Sequence, residues 1–167
     1  MKKIISALVV VICLTACGEI QVRTEETILA PRSEVWQVLV NFNKYPDWNP
    51  YHVMVKGEPK LGADLVINIH RPDGKSVEIP PHIIRLEEGR ELTWGGGIKG
   101  VFFGEHVLLL EDVPGGTRLS HNEDFTGMFV GFADLPPEVL TEGYKSMNKA
   151  LKEYVEEKRN NPPKADG

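Results

Sequence analysis

The sequence predicts an α+β fold in which an antiparallel sheet of about seven strands is covered by one long C-terminal helix. Two observations predict this fold. Residues 51–126 alternate apolar and polar side chains in short segments that are separated by turn signals, which is typical of strands joined by hairpins. Residues 136–158 instead carry apolar side chains at helical spacing, and no other segment is long enough to cover the sheet.

The composition fits one soluble globular domain. Of the 167 residues, 41% are hydrophobic and 26% are charged, so the chain can bury a core that is large enough to contain a hollow. The net charge is -5 and no basic run is present. Such a chain does not neutralise phosphates well, which argues against nucleic acid as a partner and against electrostatic docking on anionic lipid.

The N-terminus predicts an export signal. Two lysines precede the mainly apolar run Ile4–Leu14, which is too short to span a bilayer as a helix, since a span takes about 20 residues. The run ends in Leu14-Thr15-Ala16-Cys17, which resembles the lipobox of bacterial lipoproteins. We therefore expect cleavage before Cys17 and lipid attachment to its thiol. The alternative is an ordinary secretory signal that happens to end near a cysteine.

The cysteine count agrees with lipid attachment. Cys13 would leave with the signal and Cys17 would be acylated, so the mature domain would have no free thiol, no disulfide and no cysteine-based metal site. Several acyl chains on one residue anchor a protein stably. We expect a lipid-anchored protein of the cell envelope, facing the periplasm or the extracellular side. Gly18 after the cysteine indicates the outer membrane if the cell is Gram-negative.

Two short helices are expected after the first strand. Glu19–Leu29 alternates weakly and predicts that strand. Pro31 opens a helix with an apolar stripe, since proline is tolerated in the first helical turn. The segment Asn41–Asn49 predicts a turn or a second short helix because it contains Tyr45-Pro46.

Hairpin strands fill the middle of the chain. Leu65–His70, Val77–Leu86 and Leu92–Trp94 are expected strands, and Pro80-Pro81 indicates an edge or a bulge in the second of them. The glycine run 95–97 is expected to loosen the strand after Trp94. Residues 102–111 and 117–125 form the clearest pair, joined at Pro114-Gly115-Gly116. The expected divisions are a signal peptide (1–16), one domain (17–158) and a disordered tail (159–167).

Three stretches resemble the START-like, pollen-allergen-like superfamily SRPBCC, in its polyketide-cyclase/dehydrase-like branch. They are Val35-Trp36 with Asn43–Pro50, Glu88–Trp94, and Gly116–Gly127, and with the last helix the resemblance covers about residues 20–158. The resemblance implies a helix-grip fold, in which a curved antiparallel sheet wraps a long helix around a cavity that takes hydrophobic ligands.

Strand parity groups three polar residues on one face. His121 and Glu123 share parity with the apolar Leu119 and Phe125, and His106 shares parity with Leu108 on the partner strand. In one register His106 opposes Glu123, and in a register slipped by two it opposes His121. Either way, the three polar side chains are expected to cluster on the concave side of the sheet.

Four roles are open for His106, His121 and Glu123. They could form a satisfied internal polar network, because buried polar groups need partners. They could orient the head group of a ligand inside an apolar pocket. They could perform general acid–base catalysis as a His–Glu pair. The residue types also suit a metal site of two histidines and one carboxylate, which the resemblance does not support. We expect no metal and no cofactor.

Five further residues are expected to line a cavity: Trp94, Leu108, Phe125, Tyr144 and Met147. His70 alternates with apolar neighbours and should face solvent, and no role is predicted for His52 or His82. The apolar loop Phe129–Leu135 should be tucked in or should gate an entrance.

The sequence thus predicts a lipid-anchored protein that binds a small hydrophobic or amphipathic molecule or a lipid in an internal cavity, more readily than an enzyme. Two alternatives stay open. One is a cyclase or dehydratase that uses His106, His121 or Glu123 as its base, and the other is an envelope interaction protein with a closed interior. Fold alone does not decide among them, and the oligomeric state is not predicted.

Overall fold

The computed structural model describes residues 18–161 as a strand, a helical segment, a run of strands and a long helix. Cys17, the expected signal 1–16 and the last part of the expected tail, 162–167, lie outside the described residues. The helices are α1 (Arg32–Leu39), α2 (Tyr45–Trp48) and α3 (Pro137–Asn160). Single 3-10 turns cover Phe42–Lys44 and Val130–Phe132.

Eight strands form two antiparallel sheets. They are β1 (Gly18–Ile28), β2 (His52–Lys56), β3 (Val66–His70), β4 (Ser76–Ile79), β5 (His82–Glu87), β6 (Glu91–Ile98), β7 (Phe102–Val113) and β8 (Gly116–Gly127). The larger sheet has the order β1-β8-β7-β6-β5, and the smaller has the order β2-β3-β4. The predicted α+β class and order of elements are confirmed.

Three details differ from the sequence prediction. The single strand expected over residues 77–86 was wrong, because the chain breaks at Pro80-Pro81 into β4 and β5, where two residues lack a backbone donor. The expected loosening at Gly95–Gly97 was also wrong. There β6 stays paired with β7 as far as Ile98, because the partner strand supplies a continuous ladder. Helix α3 continues to Asn160, two residues past its expected end.

The long helix lies across the larger sheet and closes the core. Its 24 residues make it about 36 Å long at 1.5 Å per residue. Its buried face carries residues one helical turn apart, namely Leu140, Gly143, Tyr144, Met147, Asn148, Leu151 and Val155. These pack against the inner residues of β1, β7 and β8 and against the aromatic residues of α1 and α2. In residues 18–161 no helix is both long enough and apolar enough to cross a membrane.

Gly143 lets the ring of Tyr51 lie directly against the backbone of α3. A Cβ at position 143 would sit 2.2 Å from the Cε2 of Tyr51, far inside van der Waals contact. The Tyr51 ring meets Tyr144 edge to face at 5.3 Å, so it could not move away without disturbing that contact. This close approach sets the distance between α3 and the start of β2.

We predict that Gly143→Ala destabilises the protein, although alanine favours helix. Overpacking lowers the free energy of unfolding by about 1–3 kcal/mol. The higher helix propensity of alanine raises it by only about 1 kcal/mol. Urea unfolding followed by circular dichroism measures the difference. Gly131→Ala is the control, because a Cβ there meets nothing within 4 Å. Equal stability of both variants would show that Tyr51 does not depend on this glycine.

Candidate functional site

The register of β7 and β8 brings the predicted polar residues together. His106 pairs with Glu123, and Leu108 pairs with His121, which is the first of the two registers considered. Nδ1 of His106 lies 3.4 Å from Oε2 of Glu123. The rings of His106 and His121 meet at 4.6 Å between centroids. All three side chains point into the protein and are buried.

Aromatic rings surround the histidines and include one residue that sequence reasoning missed. Trp94 stacks parallel on His106 at 4.6 Å, and Tyr144 stacks on His121 at 4.4 Å. His52, for which no role was predicted, is buried and lies 5.1 Å from the ring of His106. Tyr51 completes this six-ring cluster, which consists of Tyr51, His52, Trp94, His106, His121 and Tyr144.

A hydrogen-bonded triad ties α3 to the sheet beside this cluster. Nδ1 of His121 donates to Oδ1 of Asn148 at 2.6 Å. Nδ2 of Asn148 donates to Oγ1 of Thr24 at 2.9 Å, and that hydroxyl donates to the backbone oxygen of His121 at 3.0 Å. Sequence reasoning missed Asn148, although its position one helical turn after Tyr144 places it on the buried face. The triad satisfies most of the polar atoms that α3 brings inside.

A cavity of about 560 Å³ lies beside the six-ring cluster. This volume falls in the range of small-molecule sites, roughly 300–1,000 Å³. Its walls are mainly apolar, and they come from the ends of β3, β4, β6, β7 and β8 and from the start of α3. Another depression of about 540 Å³ lies between α1 and the end of α3, and no predicted site residue lines it.

Two glycines facing each other open space in the cavity wall. Gly96 on β6 pairs directly with Gly104 on β7, and both lie on the inner face. A Cβ on Gly104 would sit 3.1 Å from the ring of Phe125 and 3.6 Å from Oε1 of Glu123. A Cβ on Gly96 would sit 3.3 Å from the Cα of Pro81. Side chains at these positions would therefore project into the space that forms the cavity.

The predicted site residues divide into two groups. Trp94, Glu123, Phe125 and Tyr144 line the cavity. His106, His121, Leu108 and Met147 are buried behind that wall and are not among its lining residues. Glu123 joins the two groups, because it lines the cavity and contacts His106. Direct ligand contact by the four deeper residues stays a prediction.

The polar part of the lining consists of Glu123, Tyr51 and Arg71 with Asp134. The side chain of Arg71 is only 5% exposed. Its Nη1 donates to the backbone oxygen of Asp134 at 2.8 Å, and its Nη2 donates to Oδ2 of Asp73 at 2.7 Å. Its Nε is buried without a partner in the described residues. The sequence analysis did not identify this inward guanidinium.

Burial favours the neutral forms of Glu123 and of the histidines in the six-ring cluster at pH 7. Loss of solvation, assisted by the neighbouring charge of Asp124, raises the pKa of Glu123 to about 8. Burial lowers the pKa of His106 to about 3. Burial, His106 and His121 lower the pKa of His52. Burial and His106 lower the pKa of His121, and the hydrogen bond to Asn148 partly opposes this shift. Glu123 is therefore a proton donor at pH 7, and the imidazoles are uncharged.

The described part of the chain offers no group of three histidine, cysteine or acidic side chains arranged to hold a metal ion. His106, His121 and Glu123 instead contact aromatic rings and one another. His70 is exposed, as its alternation predicted.

The curved sheet, the helix lying across it and the cavity between them define a helix-grip domain. Residues 19–156 match the family described as polyketide cyclase / dehydrase and lipid transport, and the chain belongs to this family. The resemblance inferred from the sequence motifs is thus confirmed. The chain matches no curated protein.

Solved structures share the fold at low identity. Ara h 8.0201 is 19% identical, with 84% of this chain and 99% of that chain covered at a TM-score of 0.63. A protein of unknown function, SA2116 from Staphylococcus aureus, is 12% identical at a TM-score of 0.66. The match covers 86% of this chain and 98% of that chain. The di-domain ARO/CYC StfQ from the steffimycin biosynthetic pathway is 12% identical at a TM-score of 0.63. The match covers 85% of this chain and 52% of that chain. These likenesses show the fold alone.

We predict that Glu123→Gln changes how stability depends on pH. Folded Glu123 keeps its proton up to about pH 8, whereas the unfolded glutamate releases it near pH 4.5. Its contribution to stability is therefore complete below about pH 4.5 and is lost as the pH rises through 8. Glutamine has no proton to lose. The stability of the variant relative to the original should rise between pH 5 and 8 and then level off.

Thermal unfolding at a series of pH values measures this difference. Glu58→Gln, at an exposed carboxyl, is the matched control and should show no such rise. A constant difference between Glu123→Gln and the original protein across this pH range would mean that Glu123 is ionised inside the fold.

Proposed function

We propose that this protein binds a small hydrophobic or amphipathic molecule in the cavity between the sheet and α3, and that a lipid on Cys17 anchors it in the cell envelope. The observation that supports binding is the apolar cavity of about 560 Å³. The alternative of an envelope interaction protein requires a closed, filled interior, and the cavity argues against it. The family to which the chain belongs includes lipid transport.

The polar atoms of the cavity favour a ligand with a hydrogen-bond acceptor at one end. Glu123 carries a proton at pH 7 and can donate it in a hydrogen bond to a carbonyl, hydroxyl or carboxylate oxygen. Arg71 contributes a guanidinium to the same lining. The remaining walls are apolar and fit a hydrocarbon or aromatic body. Fatty acids, isoprenoids and aromatic polyketides share this chemistry.

A cyclase or dehydratase is the second candidate, and one observation favours it. Glu123 lines the cavity and contacts His106, so an acid and a potential proton acceptor stand next to a bound molecule. Binding is preferred because both histidines lie behind the cavity wall, and because the raised pKa of Glu123 suits it better to donate a hydrogen bond at pH 7 than to act as a base. Glu123→Gln separates the candidates, since an enzyme would lose turnover while a binder would keep its ligand.

We predict that filling the cavity abolishes ligand binding. Val77 lines the cavity and is 38% exposed, so Val77→Trp should place an indole in the cavity at modest cost in stability. Native mass spectrometry and organic extraction of protein purified from membranes should find a co-purifying molecule in the original protein and little in this variant. Leu61→Trp, at an exposed position outside the lining, is the control. Absence of any ligand from the original protein would contradict the proposal.

We predict that Cys17→Ser releases the protein from membranes. The variant should lack the acyl mass in intact-protein mass spectrometry and should appear in the soluble envelope fraction. Cys13→Ser is the control, because this cysteine lies inside the expected signal and should not affect attachment. A processed original protein without acyl groups would support the ordinary secretory signal instead.

A further inference from the structure

Exposed apolar side chains gather at one end of the domain. Of the eight large hydrophobic residues that are exposed in residues 18–161, five belong to two neighbouring segments. We call these five the apolar tip: Ile98, Val101, Met128, Phe129 and Phe132. Phe132 is 86% exposed and Phe129 is 52% exposed, and their rings lie 6.2 Å apart. Contiguous apolar surface of this kind marks an interaction site.

Backbone hydrogen bonds make the apolar tip one unit. The amide of Met128 donates to the carbonyl of Gly100 at 3.1 Å, and the amide of Phe129 donates to the carbonyl of Val101 at 3.0 Å. The turn between β6 and β7 is thereby fixed to the loop that follows β8. Lys99 is the only charged residue in 98–101 and 128–132, so no acidic side chain interrupts this surface.

The first described residue lies against the same segment. Gly18 pairs with Gly127 at the end of β8. A Cβ on Gly18 would sit 3.2 Å from both the Cβ of Val130 and the backbone nitrogen of Gly131, which lie between Phe129 and Phe132. Consecutive Cα atoms are about 3.8 Å apart across a peptide bond. Acyl chains on the residue before Gly18 would therefore start beside the apolar tip, with no linker.

We propose that the apolar tip docks on the lipid bilayer, with the side chains of Phe129 and Phe132 inserted among the lipids. The proposal rests on the lipid anchor of the proposed function. Acyl chains attached next to an exposed apolar surface would hold that surface at the bilayer when they insert. The net charge of -5 does not favour electrostatic attraction to anionic lipid. Docking would therefore depend on insertion of the apolar side chains.

Docking in this orientation would bring the cavity close to the bilayer. Gly97, Phe102 and Leu135 line the cavity, and each lies within three residues of a member of the apolar tip. A ligand taken from the lipid phase would then enter at this end without crossing water.

A fluorophore at the tip tests the proposal in the full, processed chain. Phe132→Cys is labelled with an environment-sensitive dye, and Leu29→Cys at the far end of β1 is the control, with Leu29 58% exposed. The sequence has only Cys13 and Cys17, so the new thiol is unique once the signal is removed and Cys17 is acylated. In phosphatidylcholine vesicles, the dye at position 132 should shift to the blue and be quenched by brominated lipid, while the dye at 29 should do neither.

The outcomes separate the tip from the anchor. Acylated protein whose dye at position 132 stays in water overturns membrane docking and leaves the anchor standing. Protein without acyl groups and without quenching overturns both. Quenching by added vesicles in the unacylated Cys13→Ser, Cys17→Ser form of the labelled variant supports the tip alone. A blue shift in detergent that grows with protein concentration and is not increased by vesicles overturns the proposal in favour of a second copy of this chain.

Discussion

The register between β7 and β8 is the constraint on which the rest of the site depends. It places His106 opposite Glu123 and Leu108 opposite His121, so one face of the hairpin carries two imidazoles and a carboxyl among apolar side chains. A slip of one residue would turn this whole set outward. The other elements adapt to this arrangement, since Trp94 and Tyr144 cover the imidazoles and Asn148 binds one of them.

Neutrality of the buried groups follows from this packing. An imidazolium or a carboxylate among stacked aromatic rings would lose its hydration. The one close pair, His106 with Glu123 at 3.4 Å, does not compensate for that loss, so each group keeps its uncharged form. The pKa of Glu123 is raised and the pKa of His106 is lowered. In this pair the proton therefore stays on the carboxyl and not on the imidazole. The interior therefore remains a suitable environment for an apolar guest even though several titratable groups point into it.

Sequence reasoning succeeded where residue spacing has one geometric meaning. Strand parity placed Glu123 beside the histidines, and helical spacing identified the buried face of α3. His52 was missed because a register irregularity between His52 and Met54 breaks the parity of β2. Arg71 was missed because its side chain is held inward by Asp134, which is distant in the sequence. No local pattern around Arg71 indicates that contact. The volume of the cavity depends on how the sheet curves, which no local pattern expresses.

The facing pair Gly96 and Gly104 has a consequence for how such a site could diversify. The backbone ladder through these positions uses only main-chain atoms. A methyl group on either residue would enter the space of the cavity, and Phe125 or Pro81 would have to shift by a few tenths of an ångström to admit it. Each added carbon would shorten the longest guest that fits. Selectivity for the length of the guest would then depend on these two residues, and at Gly104 also on the neighbouring Glu123, which lies next to the added carbon.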